Sequence, residues 1–449
     1  MDDPRGRDDW LALAELALLL VLSAYVYHQE QNPARLLAWI FGALPERPHA
    51  FLAPWLALLR GLANLTLALA VVAAFGARRR WSGAVRTVAG AGLVLMGLVI
   101  PTLIQIELRA HVDEVPGNDR PYVSRTHDGG VAQTEMAVDA LLDGQNPYTI
   151  AYDRPPMSRT ADSQSEGWQA LGYEANPAFH HFPYLPGVLY VVAPVQWAAR
   201  TFVGLWDVRF VYLAAALAIA ALLGALVPRG PPRRMVWLVT LVSPLLGPFV
   251  VVGRNDALVL LALAAFAHAC ARNRPRTASV ALGVALTLKQ FAIFAVVPFA
   301  IALIRQRGWR AAARAAWPTV ALPAIAALPF LIWDPRSFLR DVLLWNLGSG
   351  NDAYPVRWDG FGLTPLAYGL GLVDAPSGPN PYGFFLPLAI LVGGASIVRW
   401  LWGHATPRRV LAASGAWIYI ALFASRFFAD NYLAIPCLFL GAALLAPDA

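Results

Sequence analysis

At 449 residues, 58% hydrophobic and only 14% charged, the chain is too apolar for a water-soluble globule. The net charge of +7 does not point to nucleic acid, because the arginines sit in short links between apolar runs and so report membrane topology. Cys270 and Cys437 stand alone in apolar runs, which leaves no disulfide framework and no thiolate zinc site.

The start Met1-Asp2-Asp3 lacks the basic region of a cleaved signal, so the first apolar run, 10–28, is expected to remain as a span. Runs 10–28, 51–77, 84–108, 208–228 and 257–271 match or approach the ~20 residues that cross a bilayer. The pattern predicts an all-α polytopic membrane protein of roughly 12–13 transmembrane segments. It reads as one membrane domain over 1–449: N-terminal spans 10–108, a first outer loop 110–183, central spans with broken helices 184–333, a second outer loop 334–381 and C-terminal spans 382–446. The sequon Asn64-Leu65-Thr66 lies inside a span and carries no glycosylation signal.

With the N-terminus inside, Arg78-Arg79-Arg80 is inside and loop 110–183 outside. That loop is acidic, with Asp113, Glu114, Asp119, Asp128, Glu135, Asp139, Asp143, Asp153, Asp162, Glu166 and Glu174 against Arg120, Arg125, Arg154 and Arg159. Val131–Leu142 is expected to be an amphipathic surface helix. Glu135, Asp139 and Asp143 recur every fourth residue on its watery face, and Gly144 ends it. Asp128 just precedes the helix. It can cap the helix by accepting amide hydrogen bonds, or act as a general base toward a hydroxyl; the roles exclude each other only if both carboxylate oxygens are consumed.

Run 184–203 contains Pro186 and Pro194 and is expected to enter and return without crossing. Then Arg229, Arg233-Arg234, Arg272, Arg274, Arg276, Arg305, Arg307 and Arg408-Arg409 all fall inside. Segment 277–304 is too long for one crossing and too short for two, so a hairpin turning near Lys289-Gln290 is expected. Lys289 is the only lysine in the chain. At that depth it either faces water or an anion, or snorkels to an interface.

Two more polar clusters fall on the outer side in this topology. In Gly253-Arg254-Asn255-Asp256, Arg254 can grip a phosphate and Asp256 can orient a sugar hydroxyl; the alternative is a polar turn with an internal ion pair. The second cluster is Phe427-Phe428-Ala429-Asp430-Asn431-Tyr432. The loop 334–381 adds Arg357 within Tyr354-Pro355-Val356-Arg357-Trp358. His127 and His180-His181 have no metal-ligand spacing, so no metal and no cofactor are expected. P-loop, dinucleotide-glycine, His-Glu-x-x-His and Gly-x-Ser-x-Gly motifs are absent. Outer acids and cations suit group transfer from an anionic lipid carrier, with a carboxylate activating the nucleophile and cations stabilising the departing phosphate.

Four pieces, in order, resemble the GT-C class of membrane glycosyltransferases, and within it the bacterial glycosyltransferase family 87 type, which is similar to polyprenyl-phosphate-mannose-dependent transferases. They are His127-Asp128-Gly129-Gly130-Val131-Ala132-Gln133-Thr134-Glu135 running into Leu141–Tyr148, Phe182-Pro183-Tyr184-Leu185-Pro186-Gly187, Ser243-Pro244 leading to Gly253-Arg254-Asn255-Asp256, and Gly283–Lys289. The resemblance implies a GT-C-like bundle in the bacterial cytoplasmic membrane, with its active site extracytoplasmic. It implies transfer of a mannose-like sugar from a polyprenyl phosphate to a lipid, glycan or protein acceptor of the cell envelope. The base maps to Asp128. The family pattern has aromatic residues after the aspartate where this chain has glycines, which keeps Glu135 as the other choice. Arg254, Asn255, Asp256 and Lys289 map to donor phosphate and sugar binding; His127, His181, Arg357, Asp430 and Tyr432 are further candidates. Direct displacement by one base inverts the anomeric carbon. The non-enzyme alternative is a transporter or lipid flippase, which should show paired halves that this chain lacks.

Overall fold

The computed structural model describes residues 11, 13–26, 61–62, 65, 68–69, 82–112, 126–160, 168–169, 172–348, 360–372 and 385–446. Arg357, Arg78–Arg80 and most of run 51–77 lie outside the described residues. Among the described residues no strand forms, and the protein is an all-α membrane protein. Four helical stretches are long and apolar enough to cross a bilayer: Gly83–Glu107, Gln290–Arg307, Trp309–Trp333 and Leu386–Gly403. Leu13–Val26, Arg209–Gly224, Asp256–Ala271 and Asp430–Leu445 are shorter apolar stretches. A 16-residue helix such as Asp256–Ala271 rises about 24 Å, most of a hydrocarbon core.

The chain forms two compact units, Met1–Leu108 with Ala216–Val252, and Arg109–Ala215 with Gly253–Ala449. In the first, α1 (Leu13–Val26), α2 (Ser82–Val94, continued by a π turn into α3, Ile100–Val112) and α7 (Pro231–Val242) run the same way. Gly90 lies against Leu238, and Gly97 lies against Val26 and Val242. Glu15, fully buried, is paired by Arg234 (Nη2–Oε2 2.9 Å) and Arg86 (3.6 Å) near the start of all three helices. A buried carboxylate tolerates this only because it is paired.

The second unit is built on α4 (Gly129–Leu142), α5 (Gly187–Phe202), α9 (Asp256–Ala271), α10 (Pro275–Leu288), α11 (Val296–Arg307), α12 (Trp309–Trp333), α13 (Phe385–Gly403), α14 (Pro407–Ala424) and α15 (Ala434–Leu445); α6 (Arg209–Gly224) is divided between the units after Ala215, and α8 (Gly247–Val252) belongs to the first. α10 ends at Leu288, Lys289 is extended, and a short 3-10 turn, Gln290–Ala295, sends the chain back as α11. α10 packs parallel to α12 through Ser279 and Thr319 (Oγ–Oγ1 2.8 Å) and through Gly283 against Pro318, the small and hydroxyl residues that let membrane helices approach. α11 returns to bring Arg307 within 3.3 Å of Asn273, and Gln306 donates to the Ala405 carbonyl. One end of this unit therefore gathers Arg274, Arg276, Arg307 and Arg314 around a cavity. Trp317, Val320, Ile325, Leu328 and Ile332 of α12 point outward, an apolar flank suited to lipid.

The two ends of α5 are held by different neighbours. Gly187 lies against Thr287, and Arg200 is ion-paired with Asp139. The proline-bearing run 184–203 forms one continuous helix, with Pro194 inside it.

α4 forms where expected and stops at Gly144, whose φ of +74° ends the helix. It is not an amphipathic surface helix, however. Val131, Gln133, Thr134, Glu135 and Val138 are all buried, and Gln133 donates to the carbonyls of Ala178 and His181. Of the expected acidic face, Glu135 is buried against Arg109, Asp139 is half-exposed beside Arg200, and Asp143 is exposed.

Candidate functional site

Asp128 adopts extended backbone geometry (φ −67°, ψ 147°), and its Oδ1 caps α4 by accepting from the Gly130 amide at 2.8 Å. The cap occupies one oxygen. Oδ2 lies 3.5 Å from Nε of Arg254, and the side chain is 28% exposed. Capping and proton acceptance are therefore compatible at this carboxylate. A Cβ on Gly130 would sit 2.8 Å from the Tyr184 hydroxyl, so only glycine lets that phenol approach the cap. Burial pushes the Tyr184 phenol up, so it stays a neutral hydroxyl.

Arg254 is brought to Asp128 by the turn at Gly253. Its φ is +88°, and a Cβ there would stand 2.2 Å from Val131, so glycine serves both the turn and the close approach. Arg254 Nη1 donates to Asp430 Oδ1 (2.7 Å) and Asn431 Oδ1 (2.8 Å). Burial would lower its pKa, yet Asp128 and Asp430 hold it raised. Asp256, at the first turn of α9, is ion-paired with Lys289 (Oδ1–Nζ 2.9 Å) and accepts from Asn431 Nδ2. Asn431 thus links the two ion pairs. Its amide has one workable orientation, because the arginine only donates and the carboxylate only accepts. The Lys289 ammonium also lies 5.6 Å from the Tyr184 ring centre and 5.1 Å from that of Tyr432.

Asp128, Arg254, Asp256, Lys289, Asp430 and Tyr432, drawn from four separated segments, meet in one connected cluster. Lys289 is the C-cap residue of α10 at the turn of a helical hairpin, and its ammonium is held by a carboxylate and two aromatic faces. Asn255 is 94% buried by its 6% exposure, and its Nδ2 has no hydrogen-bond partner among the described residues.

The other candidates lie in different company. Glu135 accepts from Arg109 through both oxygens (3.1 and 2.6 Å) and from the Val208 amide (2.8 Å). Arg109 also reaches Asp207 (2.9 Å), which forms a two-pronged pair with the fully buried Arg209 (2.8 Å each). Arg209 then donates to the Thr126 carbonyl at 2.7 Å, anchoring the segment that carries Asp128. Burial pushes the Asp207 carboxyl up, but the hydrogen bond and charge of Arg209, with the charge of Arg109, pull it down to about 2. His181 gives its Nδ1 to Asp341 (2.8 Å), which also accepts from the Phe182 amide (2.9 Å), and its ring stacks on Trp345. His127 is buried, with Nδ1 3.1 Å from the Asp128 carbonyl oxygen. Among the described residues no three His, Cys, Asp or Glu side chains converge as metal ligands.

The model of glycosyltransferase family 87 matches residues 182–425, more than half of the chain. The chain belongs to glycosyltransferase family 87. Comparison with curated proteins gave no match. As a family 87 member it is a membrane glycosyltransferase. The match takes in Arg254, Asn255, Asp256 and Lys289, while Asp128, Asp430 and Tyr432 fall outside its limits.

Residue-by-residue reading of this family 87 chain overlooked Tyr184, Asn431, Asp341 and the Arg109–Asp207–Arg209 network. A signal existed for Arg109: it is a lone arginine at the acidic-loop end of its span, opposite the other arginines. Tyr184 lay inside the Phe182–Gly187 motif, but nothing in one dimension says that its ring covers Lys289.

Proposed function

We propose that this family 87 protein transfers a sugar, mannose-like by family resemblance, from a polyprenyl-phosphate donor to a lipid, glycan or protein acceptor on the extracytoplasmic side. Asp128 is the general base. The observation that carries this reading is the connected cluster of Asp128, Arg254, Asp256 and Lys289 at the end of the second unit opposite its arginine-rich end. The positive-inside rule then assigns the arginine-rich end to the cytoplasm.

In this reading Asp128 Oδ2 takes the proton of an acceptor hydroxyl as the oxygen attacks the anomeric carbon. The bond from that carbon to the phosphate oxygen breaks, and polyprenyl phosphate leaves with the electron pair. Arg254 and Lys289 stabilise its charge, and the buried amide of Asn255 supplies a donor to a phosphate or sugar oxygen. One base acting directly gives inversion; Asp256 and Asp430, the nearby carboxylates, are committed to Lys289 and Arg254. The choice of Asp128 over Glu135 is supported by the engagement of both Glu135 oxygens by Arg109.

Purified protein in nanodiscs, given a radiolabelled panel of polyprenyl-phosphate sugars, is expected to turn over at least one donor. No turnover on any donor, together with flipping of the labelled lipid, would replace this reading with a flippase. The two cations fill the role of a divalent ion, so chelation is expected to leave transfer unchanged. Loss rescued by one specific divalent ion would overturn that point.

A further inference from the structure

We propose that the cavity at the arginine-rich end of the second unit binds the headgroup phosphate of an anionic phospholipid from the adjacent leaflet. The inference is independent of the donor and of the base. The cavity, about 360 Å³, lies where α10 begins, α11 ends and α12 begins, and Arg274, Arg276, Arg307 and Arg314 line it together with Thr277. No acidic side chain lines it, and the sequence has no Asp or Glu anywhere from Ala257 to Trp333. Four guanidinium groups around one hollow repel one another unless an anion joins them, and a planar guanidinium suits phosphate oxygens.

The surroundings select a lipid over a free anion. One turn above Arg276 on α10 stands the exposed Val280, and one turn above Arg314 on α12 stands the exposed Trp317. Because α10 and α12 run parallel in contact, a polar hollow continues upward into an apolar flank, which matches a headgroup followed by acyl chains. Trp309 is also exposed, with the Arg310 guanidinium 5.3 Å from its ring centre, the belt arrangement of a membrane–water boundary.

The test measures lipid retained by the full chain, by native mass spectrometry and by melting temperature, with phosphatidylglycerol, phosphatidylcholine and inorganic phosphate as probes. Phosphatidylglycerol is expected to be retained and to raise the melting temperature, and the other two are not. Arg276→Gln is expected to weaken retention about fivefold, and Arg276→Gln with Arg314→Gln roughly 25-fold. Arg399→Gln removes the same charge from the exposed face of α13, outside the cavity, and is expected to change little. Trp317→Ala is expected to weaken phosphatidylglycerol retention without altering any response to phosphate. Equal losses for Arg399→Gln and Arg276→Gln would reduce the effect to diffuse surface charge and overturn the site. Protection by inorganic phosphate equal to that by phosphatidylglycerol would overturn the lipid. If the double variant fails to fold, the two single variants carry the same comparison.

Discussion

The two ends of the second unit handle charge in opposite ways. At one end, Arg254 and Lys289 each meet a carboxylate, and Asn431 joins the two pairs into one network. At the other, four arginines line a hollow that no acid enters. Paired charge can be buried and held in a fixed geometry, which chemistry requires. Charge of one sign must stay near solvent or headgroups, where it orients the protein and attracts anions. On the two proposals above, the contrast separates a site that positions atoms from a surface that recognises charge.

Removing the proposed base tests the first half of that contrast most severely. Asp128→Asn keeps a good helix cap but cannot take a proton, so transfer is expected to fall about 10²–10⁴-fold with the melting temperature nearly unchanged. Retention of full activity in the folded variant would reject Asp128 as base.

Lys289→Met is the next largest effect, because it strands Asp256, which is 3% exposed. A loss of about 3–5 kcal/mol is expected in unfolding measurements, with donor KM raised more than acceptor KM. Adding Asp256→Asn should recover part of the stability but not the donor affinity. Recovery of both would make the pair purely structural.

Glu135→Gln sharpens the comparison between the two acids of α4. Stability is expected to fall by about 1–3 kcal/mol as Arg109 loses a charged partner, while turnover per folded molecule holds. A collapse of turnover without a change in melting would return Glu135 to the chemistry.

The smallest effect concerns Asp207, whose pKa is lowered from 3.8 to about 2 in the fold. Its stabilising contribution is present above pH 3.8 and is lost as pH falls toward 2. The full amount is on the order of 2 kcal/mol. Melting of the wild type should therefore drop across that window, and the drop should be shallower in Asp207→Asn.

The apolar runs, the arginine links, the break at Lys289 and the stop at Gly144 were all legible in one dimension. They depend on local properties: hydropathy over a span, and the backbone freedom of glycine. Glu135 was misread as water-facing for the complementary reason. Its four-residue spacing with Asp139 and Asp143 describes a helical face correctly, but not what covers that face. Arg109 and Val208 cover its Glu135 end, 26 and 73 positions away in the chain, while Asp143 at the other end stays exposed.

Sequence alone determined that this is a helical membrane protein with its acids and its arginines sorted between opposite links, because crossing a bilayer imposes rules that each segment must obey by itself. Only the tertiary structure decided which charges meet. Ion pairing depends on distances of a few ångströms between residues as remote as Arg254 and Asp430, and packing of helices sets those distances.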